Sequence, residues 1–198
     1  MGRFLTMVAP FLRRRRRVSV VGHRGSRATH PENTIAAFEH AIACGADAVE
    51  LDVVVTTDGQ LAVTHDPVTV SFAELPASVP CLESVLELAP GSDVVFDVEA
   101  KVCGDLTPPA DVYARMILDA AKKLADRIVV RSFDYDILRA VHKLQPEMPV
   151  AALTSRDTAG WVLICEETHA RCISPRYDLI TEDEVIRAHC FDLAVMPW

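Results

Sequence analysis

From residue 18 to the last residue, short β-rich runs alternate with helical stretches, and most of the connections between them are brief. The strand-like runs cover 18–22, 48–56, 94–100, 128–132, 150–153, 172–174 and 193–197. The helical ones cover 34–44, with Asn33 as the expected N-cap, then 82–89, 109–125, 135–144, 157–169 and 182–190. A strand that is followed by a helix before the next strand begins is carried back to its starting end, so consecutive strands run parallel with helices covering them. Thr57-Asp58-Gly59-Gln60 reads as a tight turn, which makes 61–65 a hairpin arm returning on the second strand. That leaves seven strands for the main sheet, whereas a closed barrel of this kind takes eight. The expectation is an α/β barrel that lacks its last strand–helix unit, with a gap between the first strand and the seventh. Free edges of that sort invite association, so oligomer formation through the open edge is expected.

The chain has 198 residues, enough for one domain with a single core, and it carries a net charge of -8. That balance disfavours nucleic acid as a partner, whereas acidic groups massed inside a pocket suit a divalent cation. No apolar run approaches the ~18 residues of a membrane span, so no stable membrane insertion is expected. Residues 1–17 form a basic arm ahead of the domain at 18–198. Its run Arg13 to Arg17 reads as a solvated basic face or as a weak contact for anionic lipid. The six cysteines contain no C-x-x-C pair, and the order of charge and apolar residues at the start is not that of a secretory signal. Reduced thiols that mostly fill core space, and a cytoplasmic location, follow.

The chemistry is concentrated in residues 23–101. The first strand delivers His23 and Arg24 to its C-terminal end, where barrel sites lie. Histidine exchanges protons near neutral pH, and arginine presents a planar fork to phosphate oxygens. Glu50-Leu51-Asp52 puts two carboxylates on one strand face, about 7 Å apart. Their apolar neighbours imply a strand buried on both faces, where like charges are costly unless cations compensate them. The bland alternative is a solvated strand end with salt bridges. Asp97-Val98-Glu99-Ala100-Lys101 repeats the alternation, so Glu99 can join Glu50 and Asp52 around one hard cation. Oxygen-only ligands favour Mg²⁺ or Ca²⁺ over zinc. Lys101 either meets a phosphate oxygen or makes a plain ion pair with Glu99 or Asp97. His65 comes back to the mouth on the hairpin arm beside Asp66. The other histidines lie in the first loop or on helices and read as surface or packing residues.

Gly-His-Arg-Gly from Gly22, Pro-Glu-Asn-Thr from Pro31, Gly-Ala-Asp from Gly45, Glu-Leu-Asp-Val from Glu50, Thr-x-Asp-Gly from Thr56 and His65-Asp66 occur in that order. With Glu99-x-Lys101 and Ser132-Phe133, they resemble the glycerophosphodiester phosphodiesterases over nearly the whole chain. The resemblance implies a TIM-type (β/α) barrel and metal-dependent hydrolysis of a glycerophosphodiester to glycerol 3-phosphate and an alcohol. It also implies His23 and His65 as the acid–base pair, and Glu50, Asp52 and Glu99 as ligands of one divalent cation, Mg²⁺ or Ca²⁺. Arg24 and Lys101 would then contact the phosphate, Trp198 would stand at an aromatic position after the seventh strand, and the Pro-Glu-Asn-Thr stretch would be mainly structural. Asp97 departs from the asparagine the family pattern leads one to expect. Only residues 67–80 stand where relatives carry a longer substrate-side insertion, and the motifs expected after the tryptophan are missing. A shortened barrel is the expectation, and a lipid phosphodiesterase or an inactive relative that only binds metal or phosphate are the rival readings.

Overall fold

The structure, a computed structural model, describes Leu12, residues 18–155 and residues 160–198. It contains the expected alternation: β1 (Val21–His23), α1 (Ile35–Ala43), β2 (Ala48–Val55), β3 (Leu61–Val63), α2 (Leu82–Leu86), β4 (Val95–Ala100), α3 (Ala110–Ala121), β5 (Ile128–Ser132), α4 (Tyr135–Leu144), β6 (Val150–Thr154), α5 (Trp161–Thr168), β7 (Cys172–Pro175), α6 (Glu182–Cys190) and β8 (Ala194–Val195). Seven strands pair in parallel in the order β1-β2-β4-β5-β6-β7-β8, a curled half-barrel with β1 and β8 as its edges among the described residues. β3 is the appendage, antiparallel to the far end of β2 with Val53 opposite Val63.

Alternation along the strands divides the core in two. On the outer face Val49, Leu51, Phe96, Val98 and Val130 pack with helix residues such as Phe38, Tyr113, Ile117, Leu138 and Val141. The buried Tyr113 hydroxyl donates to the Val53 carbonyl (2.6 Å), which fastens α3 to β2. On the inner face Ala48, Val95, Val129, Ala151 and Cys172 form an apolar floor, with Leu12, Val21, Ala194 and Met196 against it. Two residues further along four of these strands the inner face turns polar: Glu50 on β2, Asp97 on β4, Arg131 on β5 and Ser174 on β7, all buried. The hydrophobic floor therefore sets the register that aims these charges at one place.

Several local expectations need correction. β1 starts at Val21, and the preceding Val18 and Val20 are 87% and 58% exposed. The arm at 61–65 is strand only to Val63. The N-cap of α1 is Thr34, whose hydroxyl accepts the Ala37 N–H (3.3 Å), and not Asn33. Core filling holds for Cys165 and Cys172 alone; Cys44 and Cys190 are exposed, and all six thiols are free. The basic run Arg13–Arg17 lies outside the described residues. Among those described, no helix is long and apolar enough to cross a membrane.

Candidate active site

A tight turn after β1 builds one wall. The Gly25 N–H donates to the Gly22 carbonyl (3.0 Å), with Arg24 at φ 56° and Gly25 at φ 78°. A Cβ at position 25 would stand 2.6 Å from the backbone of Ala37, so both conformation and space demand glycine. Left-handed backbone costs an arginine about 1–2 kcal/mol, and the bonds it makes offset that. The Arg24 N–H donates to Glu50 Oε2 (2.9 Å), Nη1 donates to Glu32 Oε1 (2.8 Å), and Nε stands 2.9 Å from Asp52 Oδ2, an ion pair without hydrogen-bond alignment. His23 Nε2 is 3.8 Å from Glu50 Oε2, and its Nδ1 is 3.2 Å from the Arg27 guanidinium. Burial first, then Arg24 and Arg27, lowers the His23 pKa.

The floor of the site is acidic. Parallel register sets Asp52 beside Glu99 and Glu50 beside Asp97. One carboxylate oxygen from each of Glu50, Asp52 and Glu99 lies within 4.8 Å of the others, and all three residues are buried. The Asn33 amide clasps Asp52 from above: Nδ2 donates to Oδ2 (2.9 Å) while Oδ1 accepts the Asp52 N–H (3.3 Å). Lys101 Nζ reaches Glu99 Oε1 at 2.9 Å and Asp52 Oδ1 at 3.5 Å. Asp52 Oδ1 is buried and accepts no hydrogen bond. Burial, then Asp52, pushes the Glu50 carboxyl well above the usual range, even though Arg131 pulls the other way. A set of convergent oxygens with one lone acceptor and surplus negative charge fits a hard divalent cation.

The rim is looser. His65 is roughly half exposed, and its Nδ1 lies 3.0 Å from Asp66 Oδ1, so the adjacent carboxylate does orient it. Trp198 packs edge-to-face on Phe133 with centroids 5.4 Å apart, and its backbone N–H donates to the Pro175 carbonyl. Thus His23, Arg24, Glu50, Asp52, Glu99 and Lys101 come together directly, whereas the contacts of His65 and Trp198 are with Asp66 and Phe133. His30 stacks loosely on His40, and His142 on His169 at 4.0 Å, as surface histidines would.

Sequence reasoning missed three participants. Arg131 is 4% exposed; its Nη1 donates to Asp97 Oδ2 and its Nη2 to Ser174 Oγ, both at 2.5 Å. An arginine inside a five-residue strand of valine, isoleucine and serine was the available signal, the same one that identified Glu50. Asn33 and Glu32 were read as structural, yet both bond directly to the groups of the site.

The profile of the Glycerophosphoryl diester phosphodiesterase family matches residues 23–75, which hold the β1 turn, β2 and the hairpin arm. A glycerophosphodiester phosphodiesterase of Bacillus altitudinis is 34% identical over 162 residues, 68% of this chain and 66% of that protein. One from Caldanaerobacter subterraneus is 32% identical over 68% of this chain and 65% of its own length. The chain thus spans about two thirds of the length of these curated relatives. The crystal structure of the Thermotoga maritima glycerophosphodiester phosphodiesterase superposes with a TM-score of 0.76 at 25% identity, covering 93% of this chain and 87% of that one. An Oleispira antarctica phosphodiesterase, solved in complex with the product sn-glycerol-3-phosphate, shares the fold with a TM-score of 0.83 at 20% identity, over 96% and 85% of the two chains. On this sequence likeness and this shared architecture, the chain belongs to the glycerophosphoryl diester phosphodiesterase family.

Proposed function

We propose that this chain hydrolyses a glycerophosphodiester to glycerol 3-phosphate and an alcohol, with one divalent cation, Mg²⁺ or Ca²⁺, held by Glu50, Asp52 and Glu99. The observation that carries this reading is the trio of buried carboxylates converging within 4.8 Å beside two cations, with Asp52 Oδ1 left unbonded. The names of the curated relatives, and the glycerol 3-phosphate bound by the Oleispira antarctica protein, support the same substrate class.

A bound cation supplies positive charge for the phosphate oxygens. Arg24, held through Nη1 by Glu32 and set beside Asp52, presents its guanidinium to the phosphate. Lys101, just past the end of β4 and tethered to Glu99, adds a second charge. His23, held neutral by burial and its arginine neighbours, takes the proton of the attacking water or hydroxyl. His65, with Nδ1 engaged by Asp66, gives a proton from Nε2 to the departing alkoxide as its bond to phosphorus breaks. Trp198 and Phe133 offer an apolar wall to the alcohol. Release of glycerol 3-phosphate from glycerophosphocholine and glycerophosphoethanolamine, with and without chelator, tests the reading. Turnover that survives chelation rejects the cation, and no release with Mg²⁺, Ca²⁺ or Mn²⁺ rejects the activity.

A further inference from the structure

Beside the three proposed ligands sits a second charged pair that the reaction as derived does not use. Asp97 is fully buried on β4, directly across from Glu50 on β2, and Arg131 on β5 is level with Glu99. Arg131 is bonded through both terminal nitrogens, to Asp97 and to Ser174, and the Ser174 hydroxyl in turn donates to the Met196 carbonyl after β8. Its Nε and the Oδ1 of Asp97 have no hydrogen-bond partner. A buried ion pair is a poor source of stability compared with apolar packing, so its presence inside an otherwise well-packed sheet calls for another role.

Charge counting supplies one. Glu50, Asp52, Asp97 and Glu99 contribute four negative charges, while Arg24, Lys101 and Arg131 contribute three positive ones. With all of these groups ionised and the histidines neutral, the interior is one unit negative, and it becomes one unit positive once a divalent cation displaces the protons that burial favours on the carboxylates. That is the charge that suits a singly negative phosphodiester. If the Arg131 charge were absent the loaded site would be neutral, and if the Asp97 charge were absent it would carry two positive units. We propose that Arg131 and Asp97 form a positioning pair that tunes the net charge of the metal site: Asp97 holds the guanidinium away from Glu50 and Glu99, leaving their oxygens available to the cation. This rests on the metal reading given above and adds residues to it.

The sign of the effect separates this role from simple structural support. In Asp97→Asn the guanidinium loses its carboxylate and turns on Glu50 and Glu99, competing with the cation. Removing the arginine as well, in Asp97→Asn/Arg131→Gln, removes the competitor. The experiment is titration calorimetry with Ca²⁺ on chelator-stripped protein, with folding checked by circular dichroism. Asp97→Asn is expected to bind about tenfold more weakly than the unmodified chain, and the double variant is expected to recover to within about threefold. If a residue pair acted only as packing, the second substitution would worsen the first. A double variant as weak as Asp97→Asn, or an Asp97→Asn protein with unchanged affinity, overturns the proposal. Should Asp97→Asn fail to fold, Arg131→Lys and the double variant carry the test, since each preserves the charge sum: both must bind within about threefold, and a tenfold loss in either overturns it. Absence of Ca²⁺ binding by the unmodified chain overturns the metal site and this inference with it, whereas normal binding by the unmodified chain together with equally tight binding by Asp97→Asn overturns this inference alone.

Discussion

The floor and the rim of the site are built to different standards. Glu50, Asp52 and Glu99 stand on β2 and β4, central strands joined through six register pairs and covered on both faces. His23 ends β1, a three-residue edge strand, His65 lies beyond the two-stranded arm, and Trp198 follows β8, which is two residues long. The geometry of these carboxylates is therefore fixed by packing before anything binds, while the groups proposed to move protons and meet the alcohol are half exposed. Such a division suits the chemistry: a cation site needs oxygens within tenths of an ångström, whereas acid–base groups tighten when substrate arrives.

Breaking the floor is expected to have the largest effect. Glu50→Gln removes one ligand oxygen's charge, and glycerol 3-phosphate release is expected to fall to the level of chelated protein. Because burial already holds the Glu50 carboxyl against ionisation, the same substitution is expected not to destabilise the metal-free fold at pH 8. Thermal unfolding without metal checks this, and a large loss of melting temperature would mean that Glu50 is a structural anion instead.

Disturbing the rim is expected to cost less and to spare metal binding. His23→Ala and His65→Ala are each expected to lower turnover by roughly 10²–10⁴-fold with Ca²⁺ affinity intact. His142→Ala, on the far side of the sheet, serves as the unaffected control. The pKa of His23 is lowered, so the neutral base persists below pH 6.5, and the acid limb of kcat/KM is expected to lie below that of an ordinary histidine. A limb that stays in place in His23→Ala would remove His23 from the role of base.

The difference between floor and rim also explains what could be read in the chain. Asp52 and Glu99 were legible because a charge that alternates with valine and alanine in a fully buried strand has few places to go. Arg131 obeys the same rule, but a single basic residue carries less pattern than two paired motifs. Asn33 was misread because asparagine and threonine both cap helices. The contest goes to Thr34, and the left-handed backbone of Asn33 (φ 56°) sends its amide to Asp52 instead. The ends of β1 and β8 were placed poorly because edge strands have a ladder on one side only, and sequence pattern does not reveal which partner is missing.

Acidity sharpens the contrast next, with an effect read in stability. The raised pKa values of Glu50 and Asp97 mean that the metal-free native state binds more protons than the unfolded chain above the ordinary carboxylate range. Its stability from these groups is present at low pH and is lost as pH rises through the folded pKa. A cation replaces the missing proton, so the gain in melting temperature on adding Ca²⁺ is expected to be larger at pH 8 than at pH 6. With Ca²⁺ at about one hundred times its dissociation constant the gain at pH 8 is roughly 5–10 °C. Equal gains at both pH values would show that the floor carboxylates are already ionised without metal.

The smallest effect on turnover is expected at the free edge. Val18 and Val20 lead into β1 with apolar side chains largely exposed, and no strand of the described residues pairs with the outer side of β1 or β8. A sheet edge flanked by exposed apolar side chains is a template for another strand, and a lysine there is the usual block. Val18→Lys touches neither the floor nor the turn that holds Arg24, so glycerol 3-phosphate release per chain is expected to stay within about twofold of the unmodified protein, a surface substitution costing at most ~0.5 kcal/mol. Self-association, followed by sedimentation velocity across a concentration series, is expected to decrease. If sedimentation is unchanged while turnover falls, the edge supports the site through β1 rather than recruiting another strand, and the separation of floor from rim extends no further than His23.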